Sequence, residues 1–446
     1  MPTAALPGFR DFYPEDFALR AHIFETWRRV AARYGFEEYD GPPLEPLDLY
    51  TQKSGDEIVG QLYEFTDKGD RHVALRPEMT PTLARMVAAR ANGLKKPIRW
   101  FSIPQLFRYE RQQRGRLKEH FQLNCDLIGD STPLADAEII ALSIDVMRAF
   151  GLTSKDVRVR LSHRKVLRTL LGEHGIGVAQ KHMDQAFEYI DKLDRMRPED
   201  RDRWQARGEI WAPATFAEVE EVAKLRSWDT IRTRLEKIVG GAETGALLTA
   251  TISALDAMGL GEFVDVDLTI VRGLAYYTGT VFEIFDASKT LRAICGGGRY
   301  DNLTNAIGGV ELGAVGFGMG DVVLGELLKD KGLVPPHASS IDVFLAAITE
   351  EDMPELLKLA HEFRDAGIRV EYALGVQAVG KQLKLADARN ARFSVVIGPD
   401  DREEHQVILK DLQAKGQMPV ARTEIVAHLR SRLPRPTTHD PRPTTV

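Results

Sequence analysis

Two stretches hold the residues best suited to chemistry. In the first, Leu106-Phe-Arg-Tyr-Glu-Arg-Gln-Gln-Arg-Gly-Arg-Leu-Lys118 sets Arg108, Glu110, Arg111, Arg114, Arg116 and Lys118 around Gly115. Phe121-Gln-Leu-Asn-Cys-Asp-Leu-Ile128 follows. Arginine's rigid fork binds phosphate or carboxylate oxygens in pairs, so such a loop suits an anionic ligand. Both flanks predict strands, the first from its aromatics and the second from its alternation before Gly129. Paired as a hairpin, they put Arg108 and Glu110 on one face of the first strand, and Gln122, Asn124 and Asp126 on one face of the second. That face is too polar for a core and suits a small zwitterion. A charged, exposed hairpin is the simpler reading of the loop alone, but here the polar residues continue along the strands.

The second stretch is Asp265-Val-Asp-Leu-Thr-Ile-Val-Arg-Gly-Leu-Ala-Tyr-Tyr-Thr-Gly-Thr-Val-Phe-Glu-Ile-Phe285. Its alternation (Val264, Val266, Leu268, Ile270) predicts a strand and places Arg272 on the apolar side unless Gly273 breaks the register. An inward arginine costs several kcal/mol, roughly, unless an anion meets it. Tyr276 and Tyr277 add hydroxyls and flat faces; a structural salt bridge with core tyrosines is the alternative. Ile294-Cys-Gly-Gly-Gly-Arg-Tyr-Asp-Asn-Leu303 puts three glycines in a strand, at about 2–3 kcal/mol relative to alanine, which close backbone approach would justify. Glu78 and Thr80, between a strand and a helix start, can cap the helix or hold a ligand ammonium.

The elements that must position these residues are legible in outline. With 446 residues, the chain is long enough for two or three domains. A hydrophobic fraction of 43% and a charged fraction of 28% describe a soluble globular protein. No apolar run is long enough to span a bilayer, and Met1-Pro-Thr-Ala-Ala-Leu-Pro-Gly8 lacks a signal pattern. Cys125 and Cys295 form no metal or redox spacing, which points to a reducing, cytoplasmic setting. A net charge of -6 argues against indiscriminate nucleic-acid binding and leaves room for a local basic patch.

Along the chain, a helix is expected from about Asp16 to Arg33, then a strand from Phe36 stopped by prolines, and a hairpin turning at Lys68-Gly-Asp70. Residues 164–261 read as a charge-rich helical insertion. Residues 329–340 read as a linker, and 341–430 as a compact α/β domain from alternating strands and helices. Gly375-Val-Gln-Ala-Val-Gly-Lys-Gln382 nearly matches a phosphate loop, but Gln382 stands where Ser or Thr must reach magnesium, so no nucleotide site is expected there. The tail, 431–446, is rich in proline and threonine and predicts disorder.

Phe107-Arg-Tyr-Glu110, its loop and the strand after it resemble motif 2 of the class II aminoacyl-tRNA synthetases. The helix and strand before Pro43 resemble motif 1, and Ala314-Val-Gly-Phe-Gly-Met-Gly-Asp-Val-Val-Leu-Gly-Glu-Leu-Leu328 resembles motif 3. Arg-Gly-Leu-x-Tyr-Tyr at 272–277 and the glycine-rich stretch resemble signatures of the histidyl-tRNA synthetases, so the chain is identified as a member of that family from about Gly8 to Arg430. The resemblance implies an α+β fold: a class II antiparallel sheet flanked by helices over 1–163 and 262–328, the helical insertion touching the tRNA acceptor arm, and a C-terminal α/β anticodon-binding domain. It implies ATP-dependent activation of L-histidine, transfer to tRNA(His), ATP and Mg2+ as cofactors, and a cytoplasmic homodimer with no membrane partner.

By residue, the resemblance implies that Arg108 and Arg272 are catalytic, flanking the α-phosphate. Glu78, Thr80, Arg108, Gln122, Asp126, Arg272, Tyr276 and Tyr277 would bind histidine. Arg108, Glu110, Arg116 and Arg272 would bind ATP, and Arg111 and Gln113 would meet the tRNA acceptor end. This chain departs from the family at three positions: Asp126 replaces the usual Glu, Ala275 the usual Asp, and Val323 the motif 3 arginine. The alternative is the catalytically silent, synthetase-like regulatory subunit of ATP phosphoribosyltransferase. The complete Arg-Gly-Leu-x-Tyr-Tyr stretch and the C-terminal domain, which such regulators generally lack, count against it.

Overall fold

The computed structural model describes residues 4–51, 60–110, 115–173, 180–193, 196–206, 213–271, 277–288, 290–335 and 341–433. Two compact units divide at Pro335/Pro336.

In the first unit, helix α1 (Pro14–Arg33) starts with proline at its first position and acids at 15 and 16, which suit the positive end of the helix dipole. Its buried side is Ile23, Trp27, Val30 and Ala31, at helical spacing. The expected strand after it is split in two. Residues 37–38 (β1) and Leu44–Pro46 (β2) belong to different sheets, because the prolines at 42 and 43 carry no N–H for a continuous ladder. β2, β3 (Tyr63–Thr66) and β4 (His72–Leu75) form a small antiparallel sheet. The β3–β4 turn falls at Asp67–Arg71 as predicted; Asp67 Oδ1 accepts from the amides of Gly69 (2.8 Å) and Arg71 (3.0 Å).

The large sheet runs β1-β5-β7-β12-β11-β10-β8-β9, with β6 also paired to β7. Its strands are β5 (Ile98–Ser102), β6 (Gln105–Phe107), β7 (Glu119–Ile128), β8 (Val157–His163), β9 (Val264–Val266), β10 (Thr280–Asp286), β11 (Cys295–Arg299) and β12 (Ala314–Gly320). Its ladders are antiparallel except at the β1–β5 and β8–β9 edges. Leu123, Cys125, Leu127, Val315, Phe317 and Phe282 point to one side and belong to the main core. That core includes residues of α1, α4 (Pro133–Ala149) and α12 (Asp321–Asp330). Alternation leaves the other face of β7 to its polar residues.

Between β8 and β9, the described residues form α5 (Arg164–Glu173), α6 (Gln180–Leu193), α7 (Pro198–Ala206), α8 (Pro213–Ala223), α9 (Trp228–Leu235) and α10 (Gly241–Ala257). β9 is shorter than its alternation predicts. Asp267 Oδ1 accepts from the amide (3.0 Å) and hydroxyl (2.6 Å) of Thr269, and the Ile270 amide donates to Asp267 O. That turn ends the strand at Val266, before Arg272, which lies outside the described residues.

The second unit has the sheet order β14-β13-β15-β16-β17 and its own core around Val343, Leu345, Phe363, Phe393 and Leu409. Its strands are β13 (Val343–Ala347), β14 (Val370–Tyr372), β15 (Phe393–Ile397), β16 (Gln406–Asp411) and β17 (Gly416–Ala421). Gln382 is buried, and its amide donates to Ala347 O (2.7 Å) and Gln377 O (2.6 Å). The position that spoiled the phosphate-loop match is therefore a structural staple.

Candidate active site

The site is built outward from β7. Gln122, Asn124 and Asp126 share a face, as the period of two predicts, and Ser102 of β5 lies opposite Asn124. Across β7, the partners on β12 are Gly320, Gly318 and Gly316, and beyond them Gly296 and Gly298 of β11 pair with Gly318 and Gly316. The sheet is therefore floored with glycine beside its polar strand. A Cβ on Gly316 would stand 2.1 Å from Asp126 Oδ1, and one on Gly318 would stand 2.2 Å from Gln122 Nε2. Close approach of these side chains accounts for glycine at both positions.

At the deep end, the Tyr300 hydroxyl donates to Asp126 Oδ1, and both residues are buried. Burial raises the Asp126 carboxyl to about 7, with the Tyr300 hydroxyl opposing the shift. Tyr39 lies close enough that Asp126's charge adds to the effect of burial in raising its phenol well above the ordinary range. Tyr277 is buried with Val281, Tyr300 and Ile270 in one apolar cluster. In the middle, Gln122 Nε2 donates to Asn124 Oδ1 (2.8 Å) and Asn124 Nδ2 donates to Gln122 O (3.1 Å). Glu78 is buried. Thr80 opens α3 (Thr80–Arg90), whose N-cap residue, Met79, makes no side-chain cap.

At the outer end, β6 stops at Phe107, and the Glu110 amide turns back to Arg108 O (2.8 Å). Arg108 and Glu110 therefore follow the strand instead of sharing its face, yet Arg108 Nη1 still lies 4.0 Å from Glu110 Oε1. Arg108 Nε donates to Pro77 O (2.9 Å), which fixes the guanidinium plane. Arg116 Nη1 pairs with Glu110 Oε2 at 2.8 Å. Burial, and then the charge of Arg108, lowers the His120 imidazole to about 3, so it is neutral at physiological pH.

Glu78, Thr80, Arg108, Glu110, Arg116, Gln122, Asp126 and Tyr277 are described, whereas Arg111, Gln113, Arg272 and Tyr276 lie outside the described residues. The sequence assigns no role to Tyr300 or Tyr39, whereas Asn124 takes the place that period two gives it between Gln122 and Asp126. The bond from Tyr300 depends on the β7–β12–β11 register, which no local pattern encodes.

A polar strand over a glycine floor, with a carboxylate at one end and guanidinium groups at the other, can hold a small amino acid lengthwise. Gln122 to Asp126 spans about 13 Å of strand. A family model described as Histidyl-tRNA synthetase matches residues 8–321, and one described as Anticodon binding domain matches residues 342–432. The chain is 43% identical over 431 residues to a histidine–tRNA ligase of Opitutus terrae, covering 96% of this chain and 98% of that one. The crystal structure of histidyl-tRNA synthetase from Nostoc sp. PCC 7120 superposes with a TM-score of 0.79 at 25% identity, covering 97% of this chain and 100% of that one. An ATP phosphoribosyltransferase regulatory subunit/histidyl-tRNA synthetase from Bacillus halodurans has a TM-score of 0.72 at 24% identity, covering 89% and 98%, a likeness of fold alone.

Proposed function

Since the chain belongs to the histidyl-tRNA synthetase family, we propose a residue-by-residue reading of how it joins histidine to ATP and then to tRNA(His). It is a class II histidine–tRNA ligase. The observation that carries the site reading is the buried Asp126–Tyr300 pair over the glycine floor, with Gln122 on the same face of β7. Ionised Asp126 would accept an imidazole N–H, with Tyr277 alongside. The shorter Asp, in place of Glu, would need the pocket to close by about one methylene or a water to bridge. Glu78, Thr80 and Gln122 would hold the ammonium.

The carboxylate would then lie toward Arg108 and Arg272, between which it attacks the α-phosphorus as pyrophosphate leaves. This reaction needs alignment and neutralised charge more than proton transfer. Arg116 would hold the outer phosphates, and Arg111 and Gln113 the tRNA acceptor end. Among the described residues no three acidic, histidine or cysteine groups converge into a metal cage. Mg2+ carried by ATP and held chiefly by phosphate oxygens and water fits that donor set, its role being to offset phosphate charge. We further propose that 164–261 meets the acceptor arm, that the second unit reads the anticodon, and that the chain works as a cytoplasmic homodimer. No described helix is long and apolar enough to cross a membrane.

Amino-acid-dependent ATP–pyrophosphate exchange tests the reading directly. Exchange is expected with histidine and with no other standard amino acid; its absence with histidine would favour the regulatory-subunit alternative. That alternative is less supported, because the curated relatives are ligases over nearly the full chain. A second expectation concerns the anticodon assignment. A chain ending at Pro335 keeps α12 whole and leaves out a unit with its own core. It should retain histidine activation and lose most tRNA charging while remaining dimeric. Full charging by a dimeric truncated protein would refute that assignment.

A further inference from the structure

ATP is a polyanion, and the first two turns of α12 have no cation to offer it. Residues 321–328, Asp-Val-Val-Leu-Gly-Glu-Leu-Leu, hold no basic side chain, and Val323 stands where motif 3 would carry an arginine. Arg10 pairs with Glu119 (2.6 Å) and Asp321 (2.9 Å), and Arg116 is shared with Glu110 (2.8 Å).

An arginine reaches this place from another element. After β10, the Asp286 carboxylate accepts from the Thr290 amide (3.0 Å), the Thr290 hydroxyl (3.1 Å), the Leu291 amide (3.0 Å) and the Ser288 hydroxyl. These bonds fix the backbone immediately before Arg292. The chain then rejoins the sheet, the Ile294 amide donating to Ile284 O (2.8 Å) and the Gly320 amide to Ile294 O (3.3 Å). The second bond ties this turn to the residue just before α12. A Cβ at Gly115, whose φ is +75°, would stand 3.3 Å from Val323 Cγ2 and 3.8 Å from Arg292 Cδ. The stem of Arg292, the methyl of Val323 and the loop carrying Arg116 thus meet at one point. Arg292 is half-buried there. A long side chain at 323 would compete for the space that the stem of Arg292 occupies.

We propose that Arg292, delivered by the β10–β11 turn, is an ATP-binding residue that stands in for the cation missing from the first turn of α12. The inference rests on the histidine-activating reading above. The motif 3 arginine has, in effect, moved to a neighbouring strand connection while its charge stays on the same side of the nucleotide.

The test is histidine-dependent ATP–pyrophosphate exchange with ATP and histidine varied separately, on the full chain at fixed excess Mg2+. Arg292→Met keeps the stem packed and removes the charge; it should raise the KM for ATP about tenfold or more, with the KM for histidine changed by less than about threefold. Arg292→Lys keeps a point charge without the fork and should raise it less. The double variant Arg292→Met/Val323→Arg returns a guanidinium to α12 and should recover most of the lost ATP affinity. An unchanged KM for ATP in Arg292→Met, or parallel rises for ATP and histidine, would overturn the proposal. If Arg292→Met does not fold, Arg292→Lys decides in the same way: a selective rise for ATP supports the proposal and no rise overturns it. A parent chain without exchange would overturn the enzyme reading as well, so the two failures are distinguishable.

Discussion

Arg108→Ala is expected to slow histidyl-adenylate formation by about 10²–10³, or about 3–4 kcal/mol of transition-state stabilisation. Charge builds on the α-phosphate as it becomes pentavalent, and a fork already oriented by Pro77 O can meet that charge without reorganising. Lysine should rescue poorly, because a point charge cannot bridge carboxylate and phosphate oxygens together. Single-turnover adenylate formation, measured beside histidine binding by calorimetry, separates chemistry from binding. The variant loses one hydrogen bond to Pro77, so its melting temperature should be recorded in parallel. A folded Arg108→Ala protein that makes adenylate within about threefold of the parent rate would remove Arg108 from the catalytic assignment.

Asp126→Asn should have opposite effects on activity and stability. Losing the charged acceptor for the imidazole N–H should lower kcat/KM for histidine on the order of 10²-fold. Stability should move the other way. Burial lifts the folded-state carboxyl to about 7 from its ordinary 3.8. Between those values the folded state holds a proton that the unfolded chain has released. The contribution of this group is therefore intact at low pH, declines as pH rises toward about 7, and stays at its reduced level above that. Asparagine is neutral throughout, so the variant should melt higher than the parent at pH 8, by about 2–4 °C for each kcal/mol relieved, and the gap should close toward pH 5. Melting curves at the two pH values, with exchange kinetics at pH 8, supply the measurement. An active Asp126→Asn enzyme, or a gap that widens at low pH, would contradict the roles given to this carboxyl.

What could be read from the sequence depended on the distance between the residues involved. The polar face of Gln122, Asn124 and Asp126 follows from period two within one strand and was legible. So was the β3–β4 turn, because Asp67 makes its bonds within four residues. Arg108 was placed on a strand that ends one residue earlier, since the local turn to Glu110 wins over the β preference of its aromatic neighbours. Alternation from Val264 to Ile270 suggested one strand, and a single Asp267–Thr269 turn cut it short. β17 went unread because Gly416-Gln-Met-Pro-Val-Ala421 barely alternates; it is an edge strand, where proline is tolerated. Tyr300 was out of reach for a different reason, since its partner lies 174 residues away.

The Arg10–Asp321 pair has a consequence for how the protein is made. It joins residues 311 apart, and β7 pairs with β12 across the entire helical insertion. At ribosomal speeds of about 5–20 residues per second, roughly 15–60 s separate the synthesis of the two ends of that ion pair. During that interval the apolar side of β7 lacks its β12 neighbour and its edge stands open, a condition that invites strand pairing with other chains. The growing polypeptide should therefore depend on chaperones until α12 emerges, and released polypeptides ending before residue 321 should bind them more strongly than released polypeptides ending at Pro335.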